Sequence, residues 1–136
     1  MNRKVQRARI LQLLYAREFN NGDSKIDKFE IPIEDSNLIT NFIIQIVEGV
    51  IAQKEYLDKM IEQYAENWEN KRLLTIDKLI LRFAIFEMLF FKETPKKVVI
   101  NEAIELAKKF SSEKSSSFIN GILDKIFIIE MGKKNE

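Results

Sequence analysis

Between Ile76 and Phe91, twelve of sixteen residues are apolar, and on a helical projection they surround the axis on nearly all sides. A helix that is apolar all round must be enclosed by other helices or by lipid. Lipid is excluded here. Asp77, Lys78, Arg82 and Glu87 interrupt the run, and a spanning helix needs about 20 nearly unbroken apolar residues. The segment reads as the central helix of a bundle.

The rest of the chain supplies the surrounding helices. Leu38, Ile39, Phe42, Ile43, Ile46, Val47, Val50 and Ile51 advance in steps of one and three, a broad apolar stripe at period 3.6. Leu57, Met60, Ile61 and Tyr64 continue it on a second helix after a break near Gln53–Glu55. Phe118, Ile119, Ile122, Leu123, Ile126 and Phe127 repeat it near the C-terminus. The 20 isoleucines favour strands by propensity, but no stretch alternates with period 2 for long.

Breaks are expected at Asn20–Ser24, at Pro32 before a start near Asp35 or Ser36, at Thr94-Pro95 as N-cap and first-turn proline, and over Ser111–Ser117. The tail Gly132–Glu136 reads as frayed. Gly49 and Gly121 lie inside helical patterns and read as points of close helix approach. The prediction is an all-α, single-domain bundle of six or seven helices over residues 1–136.

The composition removes most chemistry. There is no cysteine and no histidine, so disulfides, thiolate nucleophiles, the usual zinc sites and histidine acid–base catalysis are excluded. No glycine-rich phosphate loop and no nucleophile–base pair appears. Asn20–Asp27 (NNGDSKID) resembles half of a calcium loop, but the spacing fails and it reads as a turn. Arg82 and Glu87 read as buried, paired structural charges, and Trp68 as a lid on the core. No enzyme activity, cofactor or metal is expected.

Charge is more informative when it is split. Residues 1–17 hold Arg3, Lys4, Arg7, Arg9 and Arg17 and no acid, a local +5, while the whole chain carries +1. Such a cationic segment on an acidic body points to a polyanion site at one end. It is not a signal peptide, because Gln12 and Arg17 break the apolar stretch that one requires. On a helix, Ile10, Leu11 and Leu14 face the core while Arg9 stays in solvent and Tyr15 comes at the stripe's edge. Cations beside an aromatic ring suit single-stranded RNA, whose phosphates they neutralise and whose unstacked bases the ring can stack on. The plainer alternative is a solvated helix with a buried tyrosine, and periodicity does not choose between them.

Four segments carry a resemblance. RARILQLLY (Arg7–Tyr15), DKLILRFAIFEML (Asp77–Leu89), PKKVVINEAIELAKKF (Pro95–Phe110) and FINGILDKI (Phe118–Ile126) resemble successive signatures of the NusB family of transcription antitermination factors, in order and in spacing. The similarity covers nearly the whole chain and is weakest over Asn20–Ser36.

The resemblance implies an all-helical cytoplasmic protein without catalytic activity. It implies binding to the boxA element of nascent RNA together with NusE, a small-subunit ribosomal protein. That complex joins elongating RNA polymerase with other Nus factors and suppresses premature termination, chiefly on ribosomal RNA operons. By the same resemblance, Arg7, Arg9 and Tyr15 contact RNA, with Arg3 and Lys4 beside them. Ser115 and Phe118 contribute from the loop before FINGILD, and Asp77 and Lys78 lie on the same side. Lys114 stands where relatives carry an acid, and favours phosphate contact. Some members of the family self-associate, so the alternative is a helical protein-interaction module or homodimer without RNA binding.

Overall fold

The computed structural model describes residues 2–19, 40–65 and 73–134. Six helices occupy them: α1 (Arg3–Phe19), α2 (Asn41–Ala52), α3 (Lys54–Tyr64), α4 (Thr75–Phe90), α5 (Lys96–Phe110) and α6 (Glu113–Lys134). No strand occurs among the described residues, and the fold class is all-α, as the periodicity predicts.

α4 packs against all five other helices. Ten of its sixteen residues are buried, three of them charged. The stripes close around it: Phe42, Ile43, Ile46, Val47 and Val50 from α2, Leu57, Met60, Ile61 and Tyr64 from α3, and Ile119, Ile122, Leu123 and Ile126 from α6. The expected break after α2 falls at Gln53, whose N–H still closes on the Gly49 carbonyl at 2.9 Å.

Several boundaries differ from expectation. Pro95 itself is the N-cap of α5, extended at φ −57° and ψ 138°, so Thr94 lies one residue too early to cap. The Pro95 carbonyl accepts from both Val98 and Val99, which starts the helix without a side-chain cap. The serines of Ser111–Ser117 form a loop only as far as Ser112. The Ser112 hydroxyl then accepts from the Ser115 N–H at 3.0 Å, and α6 begins at Glu113. This is helix capping by one of the several serines that the Ser111–Ser117 stretch offers as caps, earlier than a loop reaching Ser117 would place it. Gly132–Lys134, expected in the tail, continue α6, and Asn135 and Glu136 lie outside the described residues. Asn20–Ser24, Pro32, the start near Asp35 and Trp68 lie outside the described residues.

Gly49 is a point of close approach and Gly121 is not. A Cβ at Gly49 would sit 2.0 Å from Cζ of Phe86, whereas nothing lies within 4 Å of one at Gly121. The α2–α4 crossing therefore depends on a missing side chain. Gly49→Ala gains about 1 kcal/mol of helix propensity but must displace the Phe86 ring, which is stacked on Phe90 at 5.2 Å. Overpacking of this kind typically costs about 1–3 kcal/mol, so a net loss is expected in urea unfolding. Adding Phe86→Leu should restore most of it.

Candidate nucleic-acid interface

The first turn of α1 is electrostatically unusual. Asn2 caps it by accepting the Val5 N–H on Oδ1 at 2.9 Å. A helix N-terminus carries a partial positive charge and favours acids there. This one has no acid in its first turn and carries Arg3 and Lys4 instead, both exposed. The positive field is thus reinforced where it is already positive, an arrangement that a bound anion relieves. The Arg3 guanidinium lies 3.8 Å from the centroid of the Phe42 ring, which steers it while leaving its N–H edge for an anion. Arg9 is half-buried, and Tyr15 is 41% exposed.

Arg7 is placed differently from expectation. It is 4% exposed, and its Nε and Nη2 reach the two carboxylate oxygens of Glu87 at 3.1 and 2.5 Å. Glu87 is 1% exposed, so the pair is a buried fork. The phosphate contact expected of Arg7 gives way to a structural ion pair between α1 and α4. The signal was present, because Arg7 stands at i to Ile10, Leu11 and Leu14 at i+3, i+4 and i+7, and so shares their buried stripe. Arg82, also buried inside α4, meets Asp58 at 2.7 and 3.0 Å. Arg82 and Glu87 are thus each paired with another helix and not with each other.

The start of α4 forms a second cluster. Asp77, Lys114, Ser115 and Phe118 line one cavity of about 460 Å3 together with Leu73, Leu74 and Ser112. Asp77 and Ser115 are expected at the RNA surface but are buried, at 4% and 7% exposure. The Ser115 hydroxyl donates to Asp77 Oδ2 at 2.6 Å and accepts from the hydroxyls of Ser111 and Ser112 at 3.0 and 3.1 Å. These residues thus line an open hollow at the start of α4. Lys114 is exposed, while Phe118 and Lys78 are half-buried. Leu73, Leu74 and Ser112 had no sequence signal, because only the fold brings them to Asp77.

The two clusters lie at opposite ends of α4. Arg7 pairs with Glu87, whereas Leu14, seven residues on, shares a cavity wall with Leu79. α1 therefore runs antiparallel to α4. Ten residues of α4 separate Asp77 from Glu87, about 15 Å at helical rise. Tyr15 lies on the part of α1 that has come back toward the pocket end.

A model of the NusB family matches residues 4–127, which include the basic helix, the central helix and the serine-capped start of α6. The chain belongs to the NusB family. The transcription antitermination protein NusB of Thermodesulfovibrio yellowstonii is 44% identical, over 93% of this chain and 91% of its own length. That of Elusimicrobium minutum is also 44% identical, with 92% of each chain covered. Among solved structures, T. maritima NusB superposes with a TM-score of 0.81 at 33% identity, covering 93% of this chain and 90% of that one. A structure of the antitermination factors NusB and NusE in complex with double-stranded RNA has the same fold, at a TM-score of 0.76 and 23% identity. The NusB match spans both ends of α4 and all the residues that line the pocket. Among the described residues, no helix is long and apolar enough to cross a membrane.

Proposed function

We propose that this chain is a transcription antitermination factor, a non-catalytic cytoplasmic adaptor of one domain. It binds boxA-type single-stranded RNA together with NusE and acts on elongating RNA polymerase with other Nus factors during ribosomal RNA transcription. The observation that carries this reading is that the fold brings Asp77, at the start of α4, to Lys114, Ser115 and Phe118, at the start of α6, around one pocket. Family membership and the doubly positive turn at Arg3 and Lys4 support it. An extended strand running from that turn, past Tyr15, to the pocket would meet phosphate-binding cations first and a base-sized hollow last. With Arg7 removed from the interface, the phosphate contacts fall to Arg3, Lys4 and Arg9, with Lys78 and Lys114 at the other end.

The test is a salt titration of RNA affinity, with and without NusE. Each lost phosphate contact lowers the slope of log K against log salt by about 0.7 on a single strand. Replacing Arg3, Lys4 and Arg9 together with Ala should therefore reduce it by about 2, with little change in melting temperature. An unchanged slope in a folded triple variant removes the basic turn from the interface. A chain that self-associates and shows no salt-dependent RNA affinity is instead the interaction module.

A further inference from the structure

Three cations line a second cleft, on another side of α4. Arg17 from the last turn of α1, Lys54 at the start of α3 and Arg82 from α4 share a space of about 290 Å3. Glu18 is the one acid among its lining residues, and the remaining walls are apolar. Arg82 comes five residues after Asp77, about 140° further round the helix, so this cleft and the Asp77 pocket face different ways. The deepest cation is held in a fixed pose. Arg82 is 4% exposed, and its Nε and Nη2 fork onto the carboxylate of Asp58. Nη1 is left on the other edge, turned to Glu18 but 3.7 Å from its nearest oxygen, beyond hydrogen-bond reach. A buried guanidinium N–H without an acceptor costs free energy until one is supplied. Arg17 and Lys54 make no ion pair among the described residues. Gln53, the N-cap of α3, lends no side chain to the helix, so the first N–H groups beside Lys54 are uncapped as well.

We propose that this cleft is an anion site that takes a phosphate group, away from the Asp77 pocket. Guanidinium and ammonium groups can only donate, and a phosphate offers several acceptor oxygens to share among them. Nη1 of Arg82 meets one oxygen at the bottom, while Arg17 and Lys54 close on the others from the rim. The uncapped start of α3 adds the partial positive charge of a helix N-terminus. A space of 290 Å3 is about 8 Å across, less than the Debye length of about 10 Å at 0.1 M salt, so the three charges act together. The charges also balance. Asp58 offsets Arg82, which leaves Arg17 and Lys54 against Glu18 alone. Glu18 is 37% exposed and free to turn into solvent. Two net positive charges then meet a monoester phosphate, which carries about −1.5 to −2 at pH 7.

The probe is inorganic phosphate, titrated into the full isotope-labelled chain at constant ionic strength. An Arg3→Ala, Lys4→Ala background removes the basic turn of α1 as a competing site. Amide shifts should saturate and concentrate at the first turn of α3 and the last turn of α1, and chloride should not reproduce them. Arg17→Ala with Lys54→Ala should weaken phosphate binding about 10-fold or more. Glu18→Gln should strengthen it several-fold, because it removes the competing carboxylate and leaves the cations in place. Melting curves separate lost binding from lost fold, and Glu18→Gln decides if the double variant does not fold. Adding single-stranded RNA with NusE identifies the source of the group. A strand that displaces inorganic phosphate and shifts the same amides supplies the phosphate itself. A strand that leaves both unchanged assigns the site to a free ester, for which adenosine 5′-monophosphate is the second probe. Shifts no different from those in chloride, or weaker phosphate binding in Glu18→Gln, overturn the site.

Discussion

Arg7→Ala should lose about 3–5 kcal/mol of stability, because it strands the Glu87 carboxylate in the interior without its partner. Glu87 is 1% exposed, too deep to recover hydration without local unfolding. For a chain of this size the loss amounts to roughly 10–20 °C in melting temperature. The double variant Arg7→Met, Glu87→Met should be close to native stability, since removing both charges leaves no unpaired group and keeps the volume. Arg7→Lys should fall between, as an ammonium cannot make the two-pronged contact that Nε and Nη2 make. Thermal melts of the three variants check this. A cost under about 1 kcal/mol for Arg7→Ala would mean that the pair behaves as a solvated surface bridge. Loss of RNA affinity in Arg7→Ala is expected as well, but through the unfolded fraction and not through a missing phosphate contact.

Phe83→Ala should cost a similar amount by a different route. Phe83 is 2% exposed in the middle of α4, enclosed on every side by the other helices. Deleting a buried ring removes its transfer free energy and leaves a cavity, together about 3–5 kcal/mol. Urea unfolding with an unchanged m-value would show that only stability has moved. A cost below about 1 kcal/mol would mean that α4 is not central. Phe83 shares a wall with Arg7 and Glu87, so its effect should not add simply to theirs.

Most of the architecture is legible in the chain because burial repeats. The stripes of α2, α3 and α6 advertise one buried face each, and α4, apolar all round, advertises its own enclosure. What stays illegible is where polar groups go. Arg7 carries both a basic side chain, which suggests phosphate, and a position on the stripe of Ile10, Leu11 and Leu14, which requires burial. Position prevails because Glu87 is there to receive it, and no local pattern joins residues 80 apart. Asp77 and Ser115, 38 residues apart, form their hydrogen bond for the same non-local reason. The serines after Phe110 mislead differently. Ser112 and Ser115 have the chemistry of a loop and of a helix start alike, and only the hydrogen bond from the Ser115 N–H to Ser112 distinguishes them.

The 80-residue separation of Arg7 from Glu87 also has a consequence in time. A ribosome adding about 5–20 residues per second completes α1 roughly 3–14 s before it reaches Glu87. During that interval α1 has neither its ionic partner nor the apolar wall of α4. It is an amphipathic cation emerging beside ribosomal RNA, with Arg7 as exposed as Arg3 and Lys4. Synthesis of α4 then withdraws one guanidinium from that charge, so the nascent helix presents a stronger polyanion-binding surface than the finished protein does.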